Sequence, residues 1–83
     1  MTARAYEYHV DMVATGRNIK AFRKQKGISM NQMVDFFGLS SQALYKWERG
    51  ETFPEIQNLY ALSGLLQVGI DDILVGGHSA IAA

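Results

Sequence analysis

Eight glycines and a single proline constrain this 83-residue chain more than any other feature, because they cut a helical pattern into short pieces. Val13, Gly16, Ile19 and Phe22 recur at helical spacing and predict a first helix over 13–26, with Arg17, Lys20 and Lys24 facing away. Gly27 stops it, as a left-handed C-terminal residue does. Ser29 can then cap a second helix, and Gln32 stands three residues on, as in a capping box. Met30, Met33, Val34 and Phe37 form the apolar face of that helix, which Gly38 ends. Ser40 is the N-cap of a third helix that runs to Arg49 and is closed by Gly50. An extended link ends at Phe53-Pro54. Leu59, Leu62, Ser63 and Leu66 then mark a fourth helix from about Ile56. Gly69 separates a short fifth, Ile70 to about Leu74, with Asp71 and Asp72 in the turn where the helix dipole favours acids.

The N-terminal segment has another period. Tyr6, Tyr8, Val10 and Met12 alternate with Glu7, His9 and Asp11, which predicts an extended strand. A lone strand among helices has no ladder partner. It either pairs with the same segment of a second copy across a two-fold axis or stays an unpaired arm. The tail VGGHSAIAA reads as loose. The expected organisation is an arm (1–12), a helical domain (13–75) and a tail (76–83).

Several function classes drop out. Without cysteine there is no disulfide and no thiolate metal site. His9 and His78 have no partner at ligand spacing, so no metal is expected. Glu48 has no acid, base or nucleophile in register, so neither an enzyme nor a cofactor is expected. The start MTARAYEYHV lacks a signal-peptide core, and no apolar run approaches the roughly 20 residues of a membrane span. The expectation is a cytoplasmic protein without a membrane partner. A domain this small sits near the lower limit for folding on one core, so self-association is a natural support.

Net charge is zero, yet its distribution is uneven. Residues 17–49 carry seven of the eight basic side chains and only two acids, Asp35 and Glu48. Residues 50–83 carry four acids and no Lys or Arg. A polyanion feels the local field, which salt screens over roughly 10 Å, and not the sum over the molecule.

Two short helices joined at Gly38 have the form of a helix-turn-helix. In the third helix, Leu44 and Trp47 point inward with Ala43 at the margin. Ser41, Gln42, Tyr45, Lys46 and Arg49 share one stripe, every member can hydrogen-bond, and none is acidic. Such side chains read base edges in a major groove, and Gln pairs with adenine through two hydrogen bonds. Phosphate contacts are expected from the N-terminus of the second helix, Ser29 to Asn31, where backbone N–H groups and dipole attract anions. Ser40 and Arg49 complete that set. Phe36 falls on the outer side of its helix and reads as a contact for another chain.

From Gly16 to Leu74 the sequence resembles the Cro/repressor-type helix-turn-helix family. KWERG followed by Pro54, the Leu59–Leu66 stripe and IDDIL carry the resemblance. It implies an all-α, compact five-helix, lambda-repressor-like domain, here with an added N-terminal arm. It further implies a small bacterial transcriptional regulator, usually a repressor, bound as a homodimer to a pseudo-palindromic double-stranded operator. Its base-contacting positions fall on Ser41, Gln42 and Lys46 with Tyr45 adjacent, and its phosphate-contacting positions on Ser29, Met30 and Arg49. It also implies a structural pair between Arg23 and Glu48. Met30 stands where the family usually has a polar residue, which leaves only its backbone N–H for a phosphate. Val34 stands where Ala is usual. A second reading is an antitoxin-like module whose main partner is a protein bound through the arm and tail.

Overall fold

The computed structural model describes residues 8–78, and its elements are β1 (Tyr8–Val10), α1 (Met12–Gln25), α2 (Met30–Phe37), α3 (Ser41–Arg49), α4 (Ile56–Leu66), α5 (Ile70–Ile73) and β2 (Gly76–His78). Five helices appear where the glycine and cap signals placed them, within a residue or so at each end. Ser29 and Gln32 form the reciprocal capping box: Gln32 N donates to Ser29 Oγ at 3.1 Å, and Ser29 N donates to Gln32 Oε1 at 2.7 Å. Ser40 Oγ accepts from Ala43 N at 3.1 Å and starts α3. Asp11, not singled out above, caps α1 through Ala14 N at 3.0 Å.

The core draws one to three residues from each helix: Ile19 of α1, Met30 and Met33 of α2, Leu44 and Trp47 of α3, Leu59, Leu62 and Leu66 of α4, and Ile73 of α5. Phe37 stands edge-on to the Trp47 ring, with centroids 5.2 Å apart, so the two helices of the motif lock through an aromatic pair. Leu39 packs against the same cluster from the turn.

Three expectations change. Val13 is exposed, and Thr15 is buried in its place. The Thr15 hydroxyl accepts from Val75 N at 2.9 Å, which satisfies a buried polar group and ties α1 to the chain's far end. α4 ends at Leu66 because Gln67 takes the left-handed conformation (φ 58°), ahead of Gly69, which is extended.

The third change concerns the arm and tail. β1 is not a lone strand: it pairs antiparallel with β2 of the same chain, with Tyr8 opposite His78, His9 opposite Gly77 and Val10 opposite Gly76. The arm's partner is therefore the start of the segment expected to be loose. Asp11 N continues the clasp by donating to Val75 O at 2.7 Å, and Asn18 Nδ2 donates to Ile73 O at 3.1 Å. Tyr6 and Glu7 of the alternating pattern, and the tail from Ser79 on, lie outside the described residues.

Candidate nucleic-acid interface

The turn between α2 and α3 needs a left-handed residue, and Gly38 supplies it at φ 66°. The chain then swings into α3, which buries Leu44 and Trp47 and leaves Ser41, Gln42, Tyr45, Lys46 and Arg49 exposed, with Ala43 at the margin. The structure thus brings the expected stripe together on one face of a nine-residue helix.

α1 sets the position of that helix at three points. A side chain at Gly16 would meet the backbone carbonyls of Trp47 and Glu48 at 2.6 Å, so α1 crosses α3 almost backbone to backbone. A side chain at Gly50 would lie 2.7 Å from Val13 Cα, so the end of α3 abuts the start of α1. Further along, Arg23 and Glu48 form a buried forked pair: Nε to Oε2 at 2.6 Å and Nη2 to Oε1 at 3.1 Å. Arg23 Nη1 also donates to Ile28 O at 3.1 Å, which adds the α1–α2 link to the same clamp. The hydrogen bond to Glu48 raises the Arg23 pKa above its ordinary value, against the lowering that burial brings. Arg23–Glu48 is the structural pair expected, and no buried side-chain polar atom among the described residues lacks a partner.

At the start of α2 the capping box occupies the amides of Ser29 and Gln32. Those of Met30 and Asn31 remain as first-turn donors at the positive end of the helix dipole. The Met30 side chain is buried in the core, which leaves only its amide at the helix end, as expected of a side chain that cannot donate. Ser29, Asn31 and Ser40 are exposed, with both serines already serving as caps. Arg49 is not free. It makes a close ion pair with Glu51, a residue not singled out in the sequence. The available signal was Arg-Gly-Glu across a helix end, where a left-handed glycine turns the chain back on itself.

Short helices joined by a glycine turn, the second presenting a polar and cationic ridge over a buried indole, define a helix-turn-helix domain. The HTH_3 helix-turn-helix family model matches residues 19–73, and the chain belongs to that family. It is similar to the SPbeta prophage-derived uncharacterized HTH-type transcriptional regulator YonR of Bacillus subtilis strain 168, with 38% identity over 64 residues, which is 77% of this chain and 59% of that protein. It is 41% identical over 64 residues to the repressor protein C2 of Salmonella phage P22, covering 77% of this chain and 30% of that protein. The chain therefore corresponds to under two thirds of either relative. Among solved structures, the P22 c2 repressor in complex with synthetic operator 9T superposes with a TM-score of 0.66 and 40% identity, over 72% of this chain and 91% of that one. Among the described residues no helix is long and apolar enough to cross a membrane.

Proposed function

We propose that this chain binds double-stranded DNA sequence-specifically and acts as a transcriptional repressor. The observation that carries the reading is the α3 stripe: five exposed hydrogen-bonding side chains, none acidic, on a helix fixed from behind by Leu44, Trp47 and the Arg23–Glu48 clamp. Ser41, Gln42, Tyr45 and Lys46 would read base edges. Ser29, the amides of Met30 and Asn31, Ser40 and Arg49 would hold the phosphates on either side, which fixes register without reading sequence. Repression follows by occlusion, since a protein seated in the major groove excludes polymerase from the same duplex. The named relatives are regulators and repressors, so the antitoxin-like reading is not favoured. The site of action would be the cytoplasm, on the nucleoid.

Gln42→Ala tests the reading. It should weaken binding to the chain's preferred duplex by about 1–3 kcal/mol and barely change binding to random duplex. Fluorescence anisotropy on both duplexes measures this, and an equal loss on the two would remove Gln42 from the base-reading set.

The binding form would be a homodimer that places two α3 helices in successive major grooves about 34 Å apart. One nine-residue helix reads too few base pairs to single out a site. Support for self-association comes from α4, which carries no charged residue and leaves Ile56 and Tyr60 about three-quarters exposed (76% and 74%). Tyr60 also lines a groove with Phe36, Ala61, Gly64 and Leu65, apolar or uncharged throughout. Two uncharged faces can meet without burying an unpaired charge, and the occupant that carries such a face is a second copy. Tyr60→Glu should shift the sedimenting species from dimer to monomer and weaken binding to a two-half-site duplex by at least tenfold, with half-site binding retained. An unchanged mass would place the dimer surface elsewhere.

A further inference from the structure

We propose that Glu51 limits the affinity of the recognition helix by competing with DNA phosphate for Arg49. The proposal rests on the DNA-binding reading and adds to it a residue outside the stripe that governs how the stripe is used. Arg49 is the last residue of α3, and Glu51 follows the left-handed cap Gly50. That turn folds the chain back, so that Glu51 N donates to Lys46 O at 2.9 Å. The Glu51 side chain consequently returns to the stripe, where its carboxylate accepts from Arg49 Nε. Both side chains of the pair are half exposed, at 56% and 50%. The hydrogen bond from Arg49, with a weaker attraction from Lys46, holds the Glu51 carboxyl below the usual carboxylate range. At neutral pH the carboxylate is therefore charged and faces the two cations of the ridge.

An exposed pair of this kind is weak and exchangeable, unlike the buried Arg23–Glu48 clamp. A phosphate accepts from a guanidinium as well as a carboxylate does, so Arg49 can transfer to DNA. The transfer breaks the ion pair and leaves Glu51 beside a polyanion without its guanidinium partner, with only the weaker attraction of Lys46. Both effects subtract from every phosphate contact that Arg49 makes. Because phosphates carry no sequence information, the brake acts alike on preferred and random duplex and leaves the ranking of sites unchanged. It lowers residence on all DNA, which favours search over trapping.

The experiment compares the full chain with E51Q, R49A and the double variant, on a duplex selected from a random library and on an unselected duplex, across a salt titration. E51Q should bind both duplexes about twofold to fivefold tighter. It should steepen the slope of log affinity against log salt by up to about one ion. In the R49A background the same change should leave the slope unaltered, because the guanidinium it releases is gone. An E51Q slope and affinity equal to wild type would overturn the proposal. So would an equal steepening with Arg49 absent, since Glu51 would then act through the overall field. Failure of the unsubstituted chain to bind either duplex would instead overturn the DNA-binding reading itself, before any variant is compared. Unfolding midpoints of the four proteins should differ by no more than the roughly 0.2–1 kcal/mol of an exposed ion pair, because neither side chain packs in the core.

Discussion

Arg23→Ala is expected to destabilise the domain by about 3–5 kcal/mol, read from urea or thermal unfolding. The side chains of the pair are 9% and 2% exposed, so removing the guanidinium leaves the Glu48 carboxylate buried with nothing to compensate it. Ile28 O, at the α1–α2 link, loses its donor in the same step. Stability alone does not reveal what the pair is for. Replacing both partners by apolar residues of similar size, Arg23→Met with Glu48→Leu, removes the stranded charge and should recover most of the lost stability. Affinity for a selected duplex should recover less, because a leucine–methionine contact does not hold α3 at a fixed angle to α1 as a two-point hydrogen bond does. Recovery of both in parallel would reduce the pair to packing. The sign with pH follows from the raised Arg23 pKa: the guanidinium's contribution is present through the neutral range and is lost as pH climbs past the ordinary arginine range.

What could be read in the sequence was what depends on near neighbours. The Ser29–Gln32 box, the Ser40 cap and the turn at Gly38 each involve groups within a few residues of one another, and residue type nearly dictates their geometry. The stripe on α3 followed from those boundaries and the 3.6-residue period. What escaped was non-local. β2 is Gly-Gly-His, which has no strand propensity, and its pairing with β1 joins residues 66 positions apart at the Val10–Gly76 rung. No local signal announces such a ladder. Thr15 escaped for the same reason: a threonine reads as surface until its partner, the Val75 amide, is known. Val13 completes an apolar spacing in the sequence, but the α1 face that packs is centred on Gly16 and Ile19 and extends to Arg23. Gln67 shows the limit of glycine as punctuation. A polar residue took the left-handed position, and the glycine two places on merely led into the next helix.

Gly16→Val should destabilise the chain by about 3 kcal/mol, the upper part of the range for overpacking, and should also abolish the proposed binding to a selected duplex. The two losses have one origin. The new Cβ would sit 2.6 Å from both the Trp47 and the Glu48 carbonyl oxygens, and these are helix backbone, which cannot swing aside as a side chain tip can. Relief requires α1 and α3 to part. Movement of α3 disturbs the Phe37–Trp47 contact that sets α3 against α2. The phosphate donors proposed at the start of α2 and the base-reading ridge proposed on α3 would then no longer fit one duplex. A displacement of about 1 Å is enough to lose such a hydrogen-bond set, whose heavy-atom distances span only about 2.7–3.2 Å. Gly64→Ala is the contrast. It lies in the last turn of α4 with nothing within 4 Å of the added Cβ, so alanine should stabilise by up to about 0.5–1 kcal/mol through helix propensity alone. Chemical denaturation of both variants, with anisotropy on the selected duplex for the Gly16 series, checks the pair. If Gly16→Val lost stability and kept full affinity for the selected duplex, the α1–α3 crossing would serve folding only. The angle of the recognition helix would then be set by α2 and the turn at Gly38.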